Sequence, residues 1–277
     1  MTQQELTLAE KLELFAKEQA KRYGDIISYV PASIPDTATA ASPTLTSTTE
    51  EMPRKKASPA ANDEIVVTHH GFSELQEKLK IFQQEKWAAS TSLADLEALI
   101  QDCHKCRLGE TRNKLVFGKG DPNAGVMVIG EAPGADEDMQ GEPFVGRAGQ
   151  LLTKMLEAIN FSRDEVFIAN MLKSRPPNNR DPKPDELEAC EPYLWKQILL
   201  IKPKMILCMG RIAAVSLLKN KETALGKMRG NVYDFYGVKV MATYHPAALL
   251  RNPDWKRPAW EDLQQFRKLY DELSQAA

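Results

Sequence analysis

The 277-residue chain lacks the features that mark secreted or membrane proteins. It contains only four cysteines, too few for a disulfide framework in a chain of this length. No apolar stretch approaches the roughly 20 residues that span a bilayer. The first residues, MTQQELTLAEKLELF, carry no basic segment followed by an apolar core, so we expect no secretory signal peptide. These absences predict a cytoplasmic protein whose thiols stay reduced.

The chain also lacks a strong net charge. Its formal charge is −2, which does not indicate a nucleic-acid binder over the whole surface. Between Lys196 and Lys268, however, 14 basic residues stand against 5 acidic ones. Such a local excess is typical of a surface that meets a phosphate backbone, although a solvated helix face has the same composition.

The composition divides the chain into three parts. Residues 1–24 place Leu12 and Phe15 among charged neighbours, which predicts an amphipathic helix. Residues 25–70 are rich in Pro, Ala, Ser and Thr and should form a mostly disordered linker. Residues 71–277 should form one folded domain. The N-terminal helix is either a segment that binds an unknown partner or a weakly docked appendage, and the protein is expected to be monomeric.

Short apolar runs alternate with helical patterns in the folded part. Three short apolar runs predict buried strands, GVMVIG, VFIAN and MILCMG. The alternating pattern around Gly237 predicts a hairpin. This order predicts an α/β fold with a central, largely parallel sheet. Ligands bind at the carboxyl ends of such strands, which directs attention to the residues after Ile129, Ala169 and Thr243.

All three strand ends are followed by unusual loops. The first, GEAPGADEDMQGEPFVGRAG, has five glycines in residues 130–149, which allows a ligand to approach the backbone closely. It matches neither a P-loop nor GxGxxG, so a nucleotide cofactor is not indicated. The second loop reads NMLKSRPPNNRDP and the third reads YHPAALLRNP.

The four cysteines are spaced like metal ligands. Cys103 and Cys106 form a C-H-K-C pair, and Cys190 and Cys208 follow far downstream. Four thiolates suit a zinc ion or an iron–sulfur cluster. Two buried thiols beside a chance CxxC would produce the same pattern. Spacing alone therefore leaves three interpretations open: a zinc site, an iron–sulfur cluster, or cysteines that bind no metal.

Taken together, these three loops and the cysteine spacing resemble the family 4 uracil-DNA glycosylases of bacteria and archaea, from about Ser92 to the C-terminus. The resemblance implies a three-layer α/β/α sandwich with a largely parallel four-stranded sheet. It also implies an enzyme that flips uracil out of single- or double-stranded DNA and excises it, leaving an abasic site. The four cysteines would then hold a [4Fe–4S] cluster, since a zinc ribbon would repeat a close pair.

The resemblance also implies roles for residues of a base pocket. Asn170 would bond to uracil N3–H and O4, Phe144 would stack on the base, and His245 would donate to O2. Ala132 stands where better-known uracil glycosylases carry a water-activating aspartate, which leaves Glu131 as a polar residue that could orient water. Glu137 would exclude the thymine methyl group. The implied catalytic residues are Glu131, Asn170 and His245, and the implied pocket also includes Ala132, Pro133, Gly134, Glu137 and Phe144.

A second group of residues would contact the DNA itself. Leu249 and Leu250 would form an apolar wedge beside the flipped base, and Arg251 would bind a phosphate. Further phosphate contacts are expected from Lys173, Arg175 and Arg180. A related subgroup that traps DNA covalently has a histidine-bearing basic insert after the asparagine motif, and this chain has none, so we expect turnover.

Two other classes of function remain compatible with parts of the sequence. One is a non-catalytic iron–sulfur protein that binds DNA or senses oxidation, in which Asn170, Phe144 and His245 would have no shared purpose. The other is a zinc-stabilised nucleotide hydrolase, which requires acidic metal ligands or a phosphate loop that the sequence does not convincingly offer.

Overall fold

The computed structural model describes residues 71–219 and 224–275. They belong to the second of two compact units, Ala61–Ala277. The helix predicted for residues 1–24 and the linker predicted for 25–70 lie outside the described residues. Within the described part, none of the helices combines the length and the apolar character that crossing a membrane requires.

The described residues form nine α-helices and five short 3₁₀ helices. The α-helices are α1 Phe72–Leu79, α2 Leu93–Ile100, α3 Ala135–Gln140, α4 Arg147–Ala158, α5 Pro184–Ile201, α6 Arg211–Leu218, α7 Leu225–Met228, α8 Pro246–Arg251 and α9 Lys256–Gln275. The 3₁₀ helices span Lys80–Phe82, Lys86–Ala89, Arg107–Glu110, Pro177–Asn179 and Pro253–Trp255.

A six-stranded sheet lies at the centre. Its strands are β1 Lys119–Gly120, β2 Val126–Gly130, β3 Phe167–Asn170, β4 Met205–Met209, β5 Tyr233–Phe235 and β6 Val238–Thr243. Their spatial order is β1-β3-β2-β4-β6-β5. The four middle strands are parallel, whereas β1 and β5 pair antiparallel at the edges. The predicted parallel four-stranded sheet is confirmed, with two short edge strands added to it.

Two hydrophobic cores cover the two faces of the sheet. One face of the strands packs with helices α1, α2, α5 and α6. The other packs with α4, α8 and α9. Alternate residues of β4 point into different cores, since Ile206 lies in the first and Leu207 in the second. This arrangement confirms the predicted three-layer sandwich.

Helix boundaries follow local sequence signals. Ser92 Oγ accepts the Asp95 N–H at 3.1 Å and caps α2. Helix α5 begins with Pro184 in its first turn, where the missing N–H costs nothing. The Glu186 carboxylate accepts the Lys183 N–H at 2.8 Å at the same terminus.

A buried ion pair connects α9 to the end of β6. Arg229 donates to both carboxylate oxygens of Asp262, at 2.8 and 3.0 Å, and Thr243 Oγ1 donates to Asp262 Oδ2 at 2.7 Å. The Asp262 side chain is only 4% exposed. Because Thr243 ends β6, this pair fixes the point from which the last loop leaves the sheet.

We expect Arg229→Met to lower the free energy of unfolding by about 3–5 kcal/mol, because a buried carboxylate loses its partner. Denaturant unfolding measures the change. Arg257→Met is the matched control, since the Arg257–Glu261 pair is exposed on α9, the helix that also carries Asp262. This pair should contribute at most about 1 kcal/mol to stability. Equal losses in both variants would contradict the assigned role of the pair.

Candidate active site

The loops after β2, β3 and β6 leave the sheet at one edge, as predicted for parallel strands. The β2–β3 pairing continues past the strand ends. The Met171 N–H donates to the Gly130 carbonyl and the Leu172 N–H donates to the Glu131 carbonyl, each at 3.0 Å. These two bonds hold Glu131 beside the Asn170 segment.

Asn170 is buried with an unpaired polar atom. The residue is 2% exposed, and its Oδ1 has no hydrogen-bond partner. The side chain faces Gly130, where a Cβ atom would collide with Oδ1. Leaving such an oxygen unpaired costs about 1–3 kcal/mol. The orientation therefore indicates a ligand that supplies an N–H or O–H donor.

Phe144 occupies a strained backbone conformation beside this asparagine. Its φ is 53°, a region that bulky residues rarely adopt and that often marks functional sites. Its ring centroid lies 5.5 Å from that of His245, with the planes 30° apart. Gly149 permits the conformation, because a Cβ there would collide with the Phe144 carbonyl.

His245 is held as a neutral donor. Its Nδ1 accepts the Ala247 N–H at 3.1 Å at the start of α8, so the ring proton resides on Nε2. Burial, and then the positive charge of Arg251, lower the pKa of the imidazole to about 4. Near neutral pH the ring can therefore donate a hydrogen bond from Nε2 while carrying no charge.

Glu131 has a pKa suited to proton transfer. Burial and the neighbouring Asp181 carboxylate raise the pKa of Glu131 to about 7, and Arg211 opposes the shift. Arg211 lies 3.5 Å from Asp181. A carboxyl group with this pKa is an effective acid or base near neutral pH. Asp181 and Arg211 were not predicted from the sequence, although Arg211 lies two residues after the end of β4.

Glu137 organises the glycine-rich loop. Its carboxylate accepts the Gly134 N–H at 3.1 Å, the Val145 N–H at 3.0 Å and the Gly146 N–H at 3.2 Å. These bonds connect the start of α3 to the segment that carries Phe144. Ala132 and the buried Pro133 form the turn between β2 and Gly134. The predicted role of Glu137 in excluding a methyl group stays a prediction.

Of the two leucines predicted to form an apolar wedge, only Leu250 is exposed. Leu250 is 41% exposed and Arg251 is also exposed, whereas Leu249 is 2% exposed in the second core. The DNA contact predicted for Leu249 is wrong, because successive residues of a helix are rotated by about 100°, and the turn that exposes Leu250 places Leu249 in the core. Trp255, which sequence reasoning missed, is 41% exposed and stacks on Tyr244 at 4.9 Å.

The phosphate contact predicted for Lys173 is also wrong. The side chain is 1% exposed, and its Nζ donates to the Asn170 carbonyl at 2.9 Å and to Gln197 Oε1 at 2.7 Å. Gln197 in turn donates to the Phe117 carbonyl at 3.0 Å. Burial lowers the pKa of Lys173 to about 8. The lysine thus positions the Asn170 backbone against α5 and does not reach solvent.

The two arginines of the same loop remain near the surface. Arg175 is half-buried and donates from Nε to Asn179 Oδ1 at 2.7 Å. Arg180 forms a two-fold pair with the buried Glu186, with one bond of 2.8 Å. Binding a phosphate would require Arg180 to share its guanidinium with that carboxylate, so Arg175 is the freer of the two.

Three of the four cysteines surround one small pocket. Cys103, Cys106 and Cys190 line it together with Ser174 and Tyr193. Tyr193 Oη lies 3.2 Å from Cys103 Sγ, and the Lys173 N–H donates to Cys190 Sγ at 3.2 Å. Burial raises the pKa of Cys190 to about 12, so its thiolate requires compensation by a metal or another cation.

Cys208 does not line this pocket. It is fully buried in β4, in register with Ile129 of β2 and Ala242 of β6. Its predicted role as a metal ligand is therefore corrected: the thiol is a core residue. Within residues 71–219 and 224–275, no three His, Cys, Asp or Glu side chains are arranged as a metal-binding group.

Comparison with known proteins provides independent information. The family described as the Uracil DNA glycosylase superfamily matches residues 117–264. The Type-4 uracil-DNA glycosylase of Archaeoglobus fulgidus is 45% identical over 64% of this chain and 93% of its own length. The enzyme of the same name from Saccharolobus solfataricus is 46% identical over 63% and 83%. The one from Thermotoga maritima is 40% identical over 61% and 89%.

The His245 geometry predicts a pH-dependent stability. Its folded pKa lies below the usual 6.5, so the penalty for charging the ring is absent above pH 6.5 and grows as the pH falls toward 4. His245→Asn keeps an acceptor for the Ala247 N–H but cannot titrate. As the pH falls from 6.5 to 4, we expect the free energy of unfolding of the variant to rise by up to about 3 kcal/mol relative to that of the wild type. A stability difference that is constant with pH, measured by denaturant unfolding, would refute the assignment.

Proposed function

The chain belongs to the type-4 family of the uracil-DNA glycosylase superfamily, and we propose that it removes uracil from DNA by hydrolysing the N-glycosidic bond. The observation that carries the proposal is the buried, unpaired Oδ1 of Asn170 beside the neutral donor His245. This edge has an acceptor and a donor ready for the edge of a planar base. The product would be an abasic site.

Asn170 would select uracil by pairing with its edge. Uracil offers an N3–H donor and an O4 acceptor, which match the oxygen and nitrogen of one amide. Cytosine presents the opposite pattern, so it would leave buried groups on both molecules unpaired. Sites built on such pairing discriminate by about 10⁴-fold or more. Burial of Asn170 and the bond from Lys173 to its carbonyl support a rigid amide.

His245 and Glu131 would divide the chemistry of the leaving base and the water. The Nε2–H of His245 would donate to uracil O2 as negative charge develops there, and one preorganised donor of this kind contributes roughly 2.7–4 kcal/mol. Glu131, whose pKa is about 7, would orient the attacking water or accept its proton. Phe144 would stack on the flipped base and offset part of the unstacking cost of a few kcal/mol.

The DNA would lie against α8 and the Pro-rich loop. Leu250 would fill the gap left by the flipped base, and Arg251 and Arg175 would contact phosphates. Much of the basic excess in the C-terminal third is paired within the protein, as Lys219 with Glu191 and Arg267 with Asp271. Such pairs offset part of the positive charge, which predicts modest affinity for undamaged DNA.

We further propose that the cysteine pocket holds an iron–sulfur cluster, of the [4Fe–4S] type. Three thiols fit the soft ligands that such clusters require. Lys105, Arg112 and Lys173 also line the pocket, and their positive charges would offset the negative charge of bound thiolates. The cluster would connect the segment before β1 to α5, a structural role, because hydrolysis of an N-glycosidic bond transfers no electron.

The activity is tested with a single-stranded oligonucleotide that contains one uracil, incubated without added metal. We expect an abasic site with uracil, and none with thymine or cytosine at the same position. Asn170→Ala should lose at least about 10³-fold in kcat/KM, since it removes both contacts to the base edge, while its circular dichroism stays that of the wild type. Intact uracil-containing DNA after incubation with wild-type protein would remove the glycosylase proposal and favour a non-catalytic DNA-binding protein.

The packing around Gly130 predicts a second loss of activity. A Cβ at this position would collide with Asn170 Oδ1 and lie 2.7 Å from the Phe144 ring. We therefore expect Gly130→Ala to reduce kcat/KM for uracil excision by about 10²-fold, the order expected for a misplacement of about 1 Å.

Gly226→Ala is the matched control for Gly130→Ala. No atom lies within 4 Å of a Cβ at Gly226, which is part of α7. The control should keep full activity and gain up to about 1 kcal/mol in helix propensity. If Gly130→Ala were as active as this control, the geometry assigned to the base pocket would be wrong.

A further inference from the structure

Ser174 shares the cysteine pocket. It is 5% exposed and lines the pocket with Cys103, Cys106 and Cys190. Hydrogen bonds connect the segment of Ser174 to Cys190 and to Cys103. The preceding residue, Lys173, donates its backbone N–H to Cys190 Sγ at 3.2 Å. Arg112 Nη1 donates to Ser174 Oγ at 3.2 Å and also to the Cys103 carbonyl.

Cys208 cannot complete the set from its place in β4. The thiol does not line the pocket, and its residue lies between β2 and β6 in the middle of the sheet, in register with Ile129 and Ala242. The pocket therefore brings together three sulfur atoms and one hydroxyl oxygen from four points of the chain. An iron–sulfur cube with one ligand for each iron needs four such donors.

We propose that the cluster is held by Cys103, Cys106 and Cys190, with Ser174 Oγ as the ligand of the fourth iron. This inference rests on the proposed cofactor but not on the proposed reaction. Each ligand binds without its proton, so assembly releases three thiol protons and the Ser174 hydroxyl proton to solvent. Arg112 lies at hydrogen-bond distance from Ser174 Oγ, and its charge favours the deprotonated oxygen.

The chemistry of the fourth corner differs from that of the other three. Thiolate is a soft ligand that suits iron–sulfur clusters, whereas an alkoxide oxygen is hard and suits other ions better. One iron should therefore be spectroscopically distinct and more easily removed than its neighbours. The cluster should remain attached to the protein when this iron leaves, since three thiolates still hold the rest.

Protein loaded with ⁵⁷Fe tests the inference without any variant. The Mössbauer spectrum should resolve one iron site in four from the rest, and a chelator should remove about a quarter of the iron before the remainder. Four equivalent sulfur-ligated sites would overturn the proposal. Wild-type protein that contains zinc and no iron would overturn it together with the cofactor, while uracil excision, measured separately, would still decide the proposed function.

Matched cysteine and serine variants identify the ligands by iron and labile-sulfide content. Ser174→Cys should remove the distinct Mössbauer site and slow loss of the first iron at least tenfold. Cys208→Ala should keep wild-type iron content, whereas Cys190→Ala should lose the cluster. The reverse result for the last two variants, or a Ser174→Cys protein with an unchanged spectrum and unchanged iron release, would refute the assignment. Circular dichroism of each variant separates lost ligation from lost folding.

Discussion

The parallel pairing of β2 with β3, extended by two bonds beyond the strands, is the constraint on which the site depends. Met171 donates to the Gly130 carbonyl and Leu172 to the Glu131 carbonyl, so both loops leave the sheet in one fixed register. A slip of one residue would turn Asn170 from the edge into a core. The absence of a side chain at Gly130 leaves room for the Asn170 amide and the Phe144 ring.

Around this register, three features of the site lower the stability of the unbound protein. An amide oxygen is buried without a partner, Phe144 adopts a left-handed backbone and Glu131 is half-buried near another carboxylate. Each feature costs free energy in the unbound protein. The three bonds to the Glu137 carboxylate hold the loop that carries Phe144, and the bonds of Asp262 to Arg229 and Thr243 hold the end of β6.

The sequence was sufficient to predict the layers, the parallel strands and the clustering of Glu131, Asn170 and His245, because strand patterns are local and their carboxyl ends meet at one edge. It failed for Lys173, Leu249 and Cys208, whose residue types suggested function. Whether a lysine reaches solvent or a core depends on tertiary packing, as does the direction in which a leucine or thiol points. Ser174 drew no attention because a serine within a Pro-rich loop has no distinctive pattern.

Lys173 contacts both the segment that carries Asn170 and the cysteine pocket. Its ammonium group holds the Asn170 carbonyl and the Gln197 amide, while its backbone N–H contacts Cys190 Sγ. In their proposed roles, Asn170 at the base edge and Cys190 in the cysteine pocket are thus separated by one side chain. Loss of the proposed cluster would therefore act on Asn170 through this lysine, without any change in the sheet.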